Sequence, residues 1–349
     1  MKSNELRALP WFNKISHHAQ VGGIETSVLD NGIGKGTRIA WINTGTGLRY
    51  KVVLDRAMDI VDAFYNEHSL SWMSHSSVSY PQPFSNKGID WLKNFSGGLV
   101  TTCGLDHAGG PDDFDANPRG LHGPISNIPA ELIAIRQPDP INGILGFSLS
   151  GKILQAQVFG PVLELTRTIS GTLGKSCITI RDEVVNCGNT KSTHMLLYHI
   201  NLGWPLVDEG ARLFFEGKWK PREDGKEHKI FYEGNDFKKC CPPLDDHSGY
   251  GEEALYIDPQ ANAQGDCSCG IANEKLGLQL TVRFNKNQLP FLTNWQHWGK
   301  GEYVTGLEPA NCYPMGRAGA EKEGLLQYLQ PGEKRVYELA IDIEKFNNH

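Results

Sequence analysis

Three separated stretches concentrate side chains that can move protons or hold a hydroxyl-rich ligand. In His194-Met195-Leu196-Leu197-Tyr198-His199-Ile200-Asn201, the period of two of an extended strand places His199 and Asn201 on one face and His194 and Tyr198 on the other. Imidazole titrates near neutrality, which suits His199 to proton transfer, although a lone strand histidine is usually a satisfied structural residue. In Thr305-Gly306-Leu307-Glu308-Pro309-Ala310-Asn311, the proline biases Glu308 away from helix, so that its carboxylate projects from a strand toward a pocket or, alternatively, toward solvent at a turn. A carboxylate and a protonated imidazole on two sides of one substrate would supply a base and an acid.

The third stretch runs from Gly104 to Asn127. Asp106, His107, Arg119, His122 and Asn127 sit there in loops bordered by glycine, where backbone and ligand can approach closely. Arg56 and Asp59 form a further polar pair, either toward a ligand or as an internal salt bridge. His107, His122, His199 and Glu308 are metal-ligand types, but there is no HExxH helix, and Cys240-Cys241 and Cys267-Ser268-Cys269 lack paired CxxC spacing. Neither a GxSxG elbow nor a nucleotide-binding glycine motif is present; Asn31-Gly32-Ile33-Gly34-Lys35-Gly36-Thr37-Arg38 reads as a tight hairpin turn. No cofactor or metal is expected.

The elements that must position these groups are strands. Short alternating or β-branched runs separated by Gly, Asn, Asp and Pro recur throughout, and the last, Lys334 to Glu344, puts Tyr337, Leu339, Ile341 and Ile343 on one face. Further strands are expected at 146–153, at 155–160 and, as one run, at 194–202. Amphipathic helices are few, which disfavours a βαβ architecture and leaves stacked or closed antiparallel sheets. Two stretches read as irregular excursions: 66–97, aromatic-rich with Ser and Pro, packs over a core or lines a cleft, and the long 217–275 borders a site or an oligomer interface. The 349 residues are expected to form a single domain.

A formal charge of -6 provides no global field for nucleic acid or an anionic membrane, and neither is expected as a partner. Met1–Ile15 contains no apolar signal core, and eight scattered cysteines do not form a disulfide framework, so the chain reads as soluble and cytoplasmic with free thiols.

With these residues in place, the chain resembles the aldose 1-epimerase (galactose mutarotase) superfamily, and within it a divergent galactose-mutarotase-like branch. The resemblance spans roughly residues 20 to 345 and rests on Arg119-Gly120-Leu121-His122-Gly123, on Leu197 to Pro205, and on Thr305 to Asn311. It implies an all-β fold, a large antiparallel β-sandwich with a sugar cleft. It also implies a small-molecule sugar as partner, no nucleotide or metal, and a monomer or homodimer. By resemblance His199 is the general acid, Glu308 the general base, and His122 the histidine that holds the sugar near its ring oxygen. The family's Asn-Arg context before the middle histidine is absent, which leaves Arg119 and Arg56 both open as the substrate arginine. Asp245, Asp246 and Asp266 are the candidates for its aspartate. Asn201 and Asn311 would add directional contacts and Trp298 an apolar surface.

The implied reaction is interconversion of the α and β anomers of a free or modified sugar. The divergent loops would suit an acidic, modified or rare one. The alternatives are a sugar isomerase or lyase on the same fold, or a non-catalytic carbohydrate-binding protein.

Overall fold

The computed structural model describes residues 9–83, 86–115, 117–223, 228–249 and 251–346. Period-two sequences such as Gly146–Ala156 and Lys334–Lys345 bury every second side chain, and such strands are stable only where the apolar face meets another layer. An eight-stranded sheet satisfies this on one side, in the order Arg212–Phe215, Asp266–Asn273, Leu278–Asn285, Lys334–Lys345, Cys177–Asn186, Val162–Thr172, Gly146–Ala156, Glu131–Arg136. Facing it is a six-stranded sheet, in the order Gly217–Pro221, Glu253–Pro259, Phe291–Gly299, Glu302–Ala310, Leu197–Gly203, Thr101–Cys103. Both are antiparallel throughout. Their inner faces share one core, with Leu149, Leu165, Ile180 and Ile341 on one side and Ile200, Leu202, Leu255 and Leu307 on the other. This is the β-sandwich expected from the sequence. A five-stranded sheet over residues 23 to 69 packs into the same core through Ile42, Tyr50, Val52 and Ile60. One α-helix is present among the described residues, Gly316–Lys322, and none is long and apolar enough to cross a membrane.

Several strands differ from the expectation. The run 194–202 is two strands, because the Met195 amide turns to Leu105 O at 2.9 Å and the Leu196 amide to Asn311 Oδ1 at 2.7 Å, which takes the backbone out of one ladder and into another. Ser192–His194 pairs with Gln327–Leu329, and Leu197–Gly203 joins the six-stranded sheet. The run 155–160 is not a separate strand: Gly146–Ala156 ends there and a turn follows, closed by Gly160 N to Gln157 O at 3.0 Å. The excursion 217–275 contains the strands Gly217–Pro221, Glu253–Pro259 and Asp266–Asn273, so only its central part is irregular; residues 224–227 and 250 lie outside the described residues. The glycine-rich 31–38 stretch is the expected hairpin connection, closed by Leu29 N to Thr37 O at 3.0 Å and Gly36 N to Leu29 O at 2.8 Å.

At the centre of the sandwich the fully buried Arg167 guanidinium joins three sheets. Its Nε and Nη2 donate to the two carboxylate oxygens of Asp182 at 2.9 and 2.6 Å. Its Nη1 donates to Thr102 Oγ1 at 2.8 Å, to Asp59 Oδ1 at 3.2 Å and to Ala57 O at 3.1 Å. Tyr198 completes the cluster with its hydroxyl on Asp182 Oδ2 at 2.7 Å. Burial pushes the Asp59 carboxyl up to about 6 against the opposing pull of Arg167 and Thr102. Removing one member of such a cluster leaves a charge without its partner in a low-dielectric interior. Asp182→Ala is therefore expected to lower unfolding free energy by about 3–5 kcal/mol in urea denaturation.

Candidate active site

The six-stranded sheet has two unlike faces, and the period of two decides what each carries. Along Leu197–Gly203, Tyr198, Ile200 and Leu202 enter the core, so His199 and Asn201 take the opposite face. Along Phe291–Gly299 the residues on that same outer face are Thr293, Trp295 and His297. This outer face is the floor of a cleft of about 690 Å³. Trp72, Trp91 and Phe95 from the 66–97 excursion form one wall, and Arg222 and Glu252 from the 217–275 excursion form part of another.

On the floor, His199 Nε2 lies 3.2 Å from Glu308 Oε1, with both side chains nearly inaccessible to solvent. The two groups touch, so a sugar ring cannot sit between them as the sequence suggested. Around His199 the ring centroids of Phe95, Trp295, His122 and Trp91 stand at 5.3, 5.4, 5.9 and 6.2 Å. Gly306 makes this approach possible: a Cβ there would fall 2.9 Å from Glu308 Oε1 and 3.4 Å from the Trp295 side chain. A β-branched residue at 306, which strand propensity would favour, would displace the carboxylate.

Burial governs the charge state of the pair. It raises the Glu308 carboxyl well above the usual carboxylate range, with the nearby Glu252 charge adding to the rise and Arg222 opposing it. Burial also lowers the His199 imidazole to about 4. Both shifts favour the uncharged forms. Glu252 is itself held by Arg222 Nη2 at 2.6 Å and by the Trp295 indole N–H at 2.6 Å, so this carboxylate also fixes the orientation of the tryptophan against His199.

His122 is positioned by its backbone. Its φ of 57° is in the left-handed region, unusual for a residue with a Cβ, and is held by His122 N to Gly109 O at 2.9 Å and Gly104 N to His122 O at 3.0 Å. The Gly109 amide also donates to Nδ1 at 3.3 Å, which leaves the ring proton on Nε2 as the group available to a ligand. Behind it His107 is buried with Nδ1 3.2 Å from Asp112 Oδ2, and Arg317 fastens Asp112 through Nη2 at 2.7 Å.

Of the residues selected from sequence, the cleft brings together His122, His199 and Glu308. The others lie outside its lining. Arg56 donates to Ser126 O at 2.6 Å, Asn94 O at 2.7 Å and Ser79 Oγ at 3.1 Å, and Asp59 has Arg167 rather than Arg56 as its ion partner. Arg119 forms a buried ion pair with Asp106 at 2.5 Å, and Gln155 donates to the same carboxylate at 2.6 Å. Asn127 accepts the Gln82 amide at 3.2 Å. Asn201 donates to Gly98 O and His199 O, each at 3.0 Å. Asn311 accepts the Leu196 amide at 2.7 Å. Trp298 points into the core, its indole donating to Gln296 Oε1 at 3.0 Å; Trp295, on the other face, is the cleft tryptophan of this strand. Asp245 and Asp246 are exposed partners of Lys300 and Lys229, and Asp266 lies on the eight-stranded sheet. The carboxylates that join Glu308 in the cleft are Glu252 and Glu302. Sequence reasoning passed over both, along with Arg222. Among the described residues no group of three or more His, Cys, Asp or Glu side chains is arranged to hold a metal ion.

A carboxyl raised by folding contributes stability that is fully present below its unfolded value, about 4.5, and lost as pH rises through its folded value. The parent protein is therefore expected to gain stability relative to Glu308→Gln as pH falls from 8 toward about 4.5, read by urea denaturation at a series of pH values. A constant difference between the two proteins would show that Glu308 ionises normally.

Solved structures with this architecture include a protein named "putative aldose 1-epimerase" from Klebsiella pneumoniae subsp. pneumoniae MGH 78578. It is 21% identical, with a TM-score of 0.83 over 98% of this chain and 86% of its own. A galactose mutarotase-like protein from Clostridium acetobutylicum matches with a TM-score of 0.63 at 10% identity over 94% of this chain and 100% of its own. Galactose 1-epimerase from Lactobacillus acidophilus NCFM matches with 0.61 at 13% identity over 93% and 99%. The fold is thus the galactose mutarotase-like β-sandwich. No curated protein sequence matches the chain. A family model described as a domain of unknown function, DUF4432, matches residues 34–343, and the chain belongs to that family.

Proposed function

We propose that the protein is an aldose 1-epimerase-like isomerase that exchanges the α and β anomers of a free hemiacetal sugar at the His199–Glu308 pair. The observation that carries this reading is the 3.2 Å contact between an imidazole and a carboxyl on the floor of an aromatic-walled cleft. The anomeric hydroxyl oxygen and the ring oxygen are bonded to the same carbon. A base and an acid that stand side by side can therefore each reach one of these two oxygens.

In the forward direction Glu308 takes the proton of the anomeric hydroxyl. The electrons of that O–H bond form the C1 carbonyl, the bond from C1 to the ring oxygen breaks, and the ring oxygen takes a proton from His199. Rotation about C1–C2 presents the other carbonyl face, and reversal of the transfers closes the opposite anomer. The step begins with the proton on His199, whereas burial of the empty pair favours it on Glu308. Hydroxyl groups of an entering sugar hydrogen-bond the carboxylate and so favour transfer of the proton across the contact. The open-chain stage returns the pair to its uncharged form, which is the form burial prefers. His122 Nε2–H supports the ring oxygen, and Trp91, Phe95 and Trp295 offer apolar faces to the sugar's C–H groups.

Anomer exchange of freshly dissolved sugars followed by proton NMR tests the proposal. The parent is expected to accelerate exchange of at least one sugar, and His199→Ala and Glu308→Gln each to lower that acceleration by about a hundredfold or more. Saturable binding with no acceleration would make the protein a binding module instead. A ketose or unsaturated product would make it an isomerase of another kind or a lyase.

A further inference from the structure

Strand register sets out a row of side chains across the outer face of the six-stranded sheet. Thr101 pairs with His199, and Glu308 pairs with Thr293. The pairings of Leu197 with Ala310 and of Ile200 with Leu307 bring His199 opposite Glu308 between them. Directly opposed residues of an antiparallel pair share a face, so the row reads Thr101, His199, Glu308, Thr293, with neighbouring strands about 5 Å apart.

The two threonines that end this row differ. Thr101 Oγ1 donates to Gly97 O at 2.7 Å, and Thr305 Oγ1, on the same sheet, donates to Trp295 O at 3.0 Å. The Thr293 hydroxyl has no hydrogen-bond partner among the described residues, although Thr293 is only 1% exposed and lines the cleft beside Glu308. A valine would fill the same space and suit a strand equally well, so packing does not call for an oxygen at this position. A buried hydroxyl without a partner is costly, and a ligand that enters the cleft can supply what the fold withholds.

The order of groups along the row matches the order of oxygens around the reacting carbon. His199 serves the ring oxygen and Glu308 the anomeric oxygen, both bonded to C1. The next carbon, C2, carries its own hydroxyl, and the next strand beyond Glu308 carries Thr293. Once the ring is open, the C1 carbonyl must turn about the C1–C2 bond before the opposite anomer can close. A hydrogen bond to the oxygen on C2 holds the stationary side of that bond, and a threonine hydroxyl can both donate and accept there.

We propose that Thr293 is a further substrate-binding residue: its hydroxyl holds the C2 hydroxyl of the sugar while C1 turns, which makes the site selective for sugars with an oxygen at C2. This rests on the anomer-exchange reading of the same cleft. It is tested with glucose and galactose against 2-deoxyglucose and 2-deoxygalactose, on the full parent chain, Thr293→Val and Thr293→Ser. Anomer exchange reads turnover, and titration by saturation-transfer NMR reads binding alone.

The parent is expected to exchange glucose or galactose with a kcat/KM about tenfold or more above that of its 2-deoxy counterpart. Thr293→Val is expected to lower kcat/KM about tenfold for the hydroxylated sugar and about twofold or less for the 2-deoxy sugar, and Thr293→Ser to restore most of the loss. A merely structural role would lower both sugars alike, so equal losses, or no loss, would overturn the proposal while leaving the epimerase reading intact. If no sugar exchanges but Thr293→Val weakens binding of glucose or galactose about tenfold and does not weaken binding of the 2-deoxy sugar, the C2 contact stands and the epimerase reading fails. If no sugar exchanges and binding is absent or indifferent to Thr293→Val, both fail.

Discussion

One buried guanidinium holds the architecture in register. Arg167 comes from the eight-stranded sheet, but its hydrogen bonds reach Asp59 in the five-stranded sheet and Thr102 in the six-stranded one, and Asp182 relays it to Tyr198 on the strand that carries His199. Apolar packing between sheets is non-directional and tolerates small slips. A planar cation whose donors must each meet an acceptor does not. Tyr198 and His199 are consecutive residues on opposite faces of one strand, so the cluster that fixes the first also fixes where the second emerges into the cleft.

What emerges there is a pair of ionisable groups in surroundings that discourage charge. Aromatic rings crowd His199, and Gly306 creates the space that lets Glu308 lie against it without solvent. The same low dielectric that suppresses ionisation of the pair strengthens any hydrogen bond made inside the cleft. Glu252 couples the two aspects: its carboxylate fixes the Trp295 ring and also raises the Glu308 carboxyl. The 66–97 excursion, marked out by its aromatic-rich Ser/Pro composition, and the 217–275 excursion, marked out by its length, supply walls of the cleft.

The sandwich was legible because its strands alternate cleanly, as in Lys334–Lys345, and because few stretches could form helices. His122, His199 and Glu308 stood out through motifs that tie a residue type to a strand or loop setting. The remaining selections show where such reading ends. Arg56, Arg119, Asp106 and Asn311 are polar residues near glycine or near a motif, and nothing in a one-dimensional pattern distinguishes an arginine facing a ligand from one closing a buried ion pair. Trp298 was separable by period: counting in twos from Thr293, the partner of Glu308, reaches Trp295 and His297 and leaves Trp298 on the core face. Glu252 stands immediately before the strand Glu253–Pro259 and lacks the following proline that drew attention to Glu308. Arg222 had no comparable signal, because it follows a strand edge in a segment without periodicity.

Three of the eight tryptophans, Trp72, Trp91 and Trp295, line the cleft, and the Trp295 indole donates directly to a carboxylate. Indole emission depends on the polarity around the ring and on the groups that accept its N–H. The cleft thus contains its own optical reporter: a guest displacing water from these rings alters the protein's ultraviolet fluorescence, and occupancy becomes measurable without a dye, a label or a turnover assay.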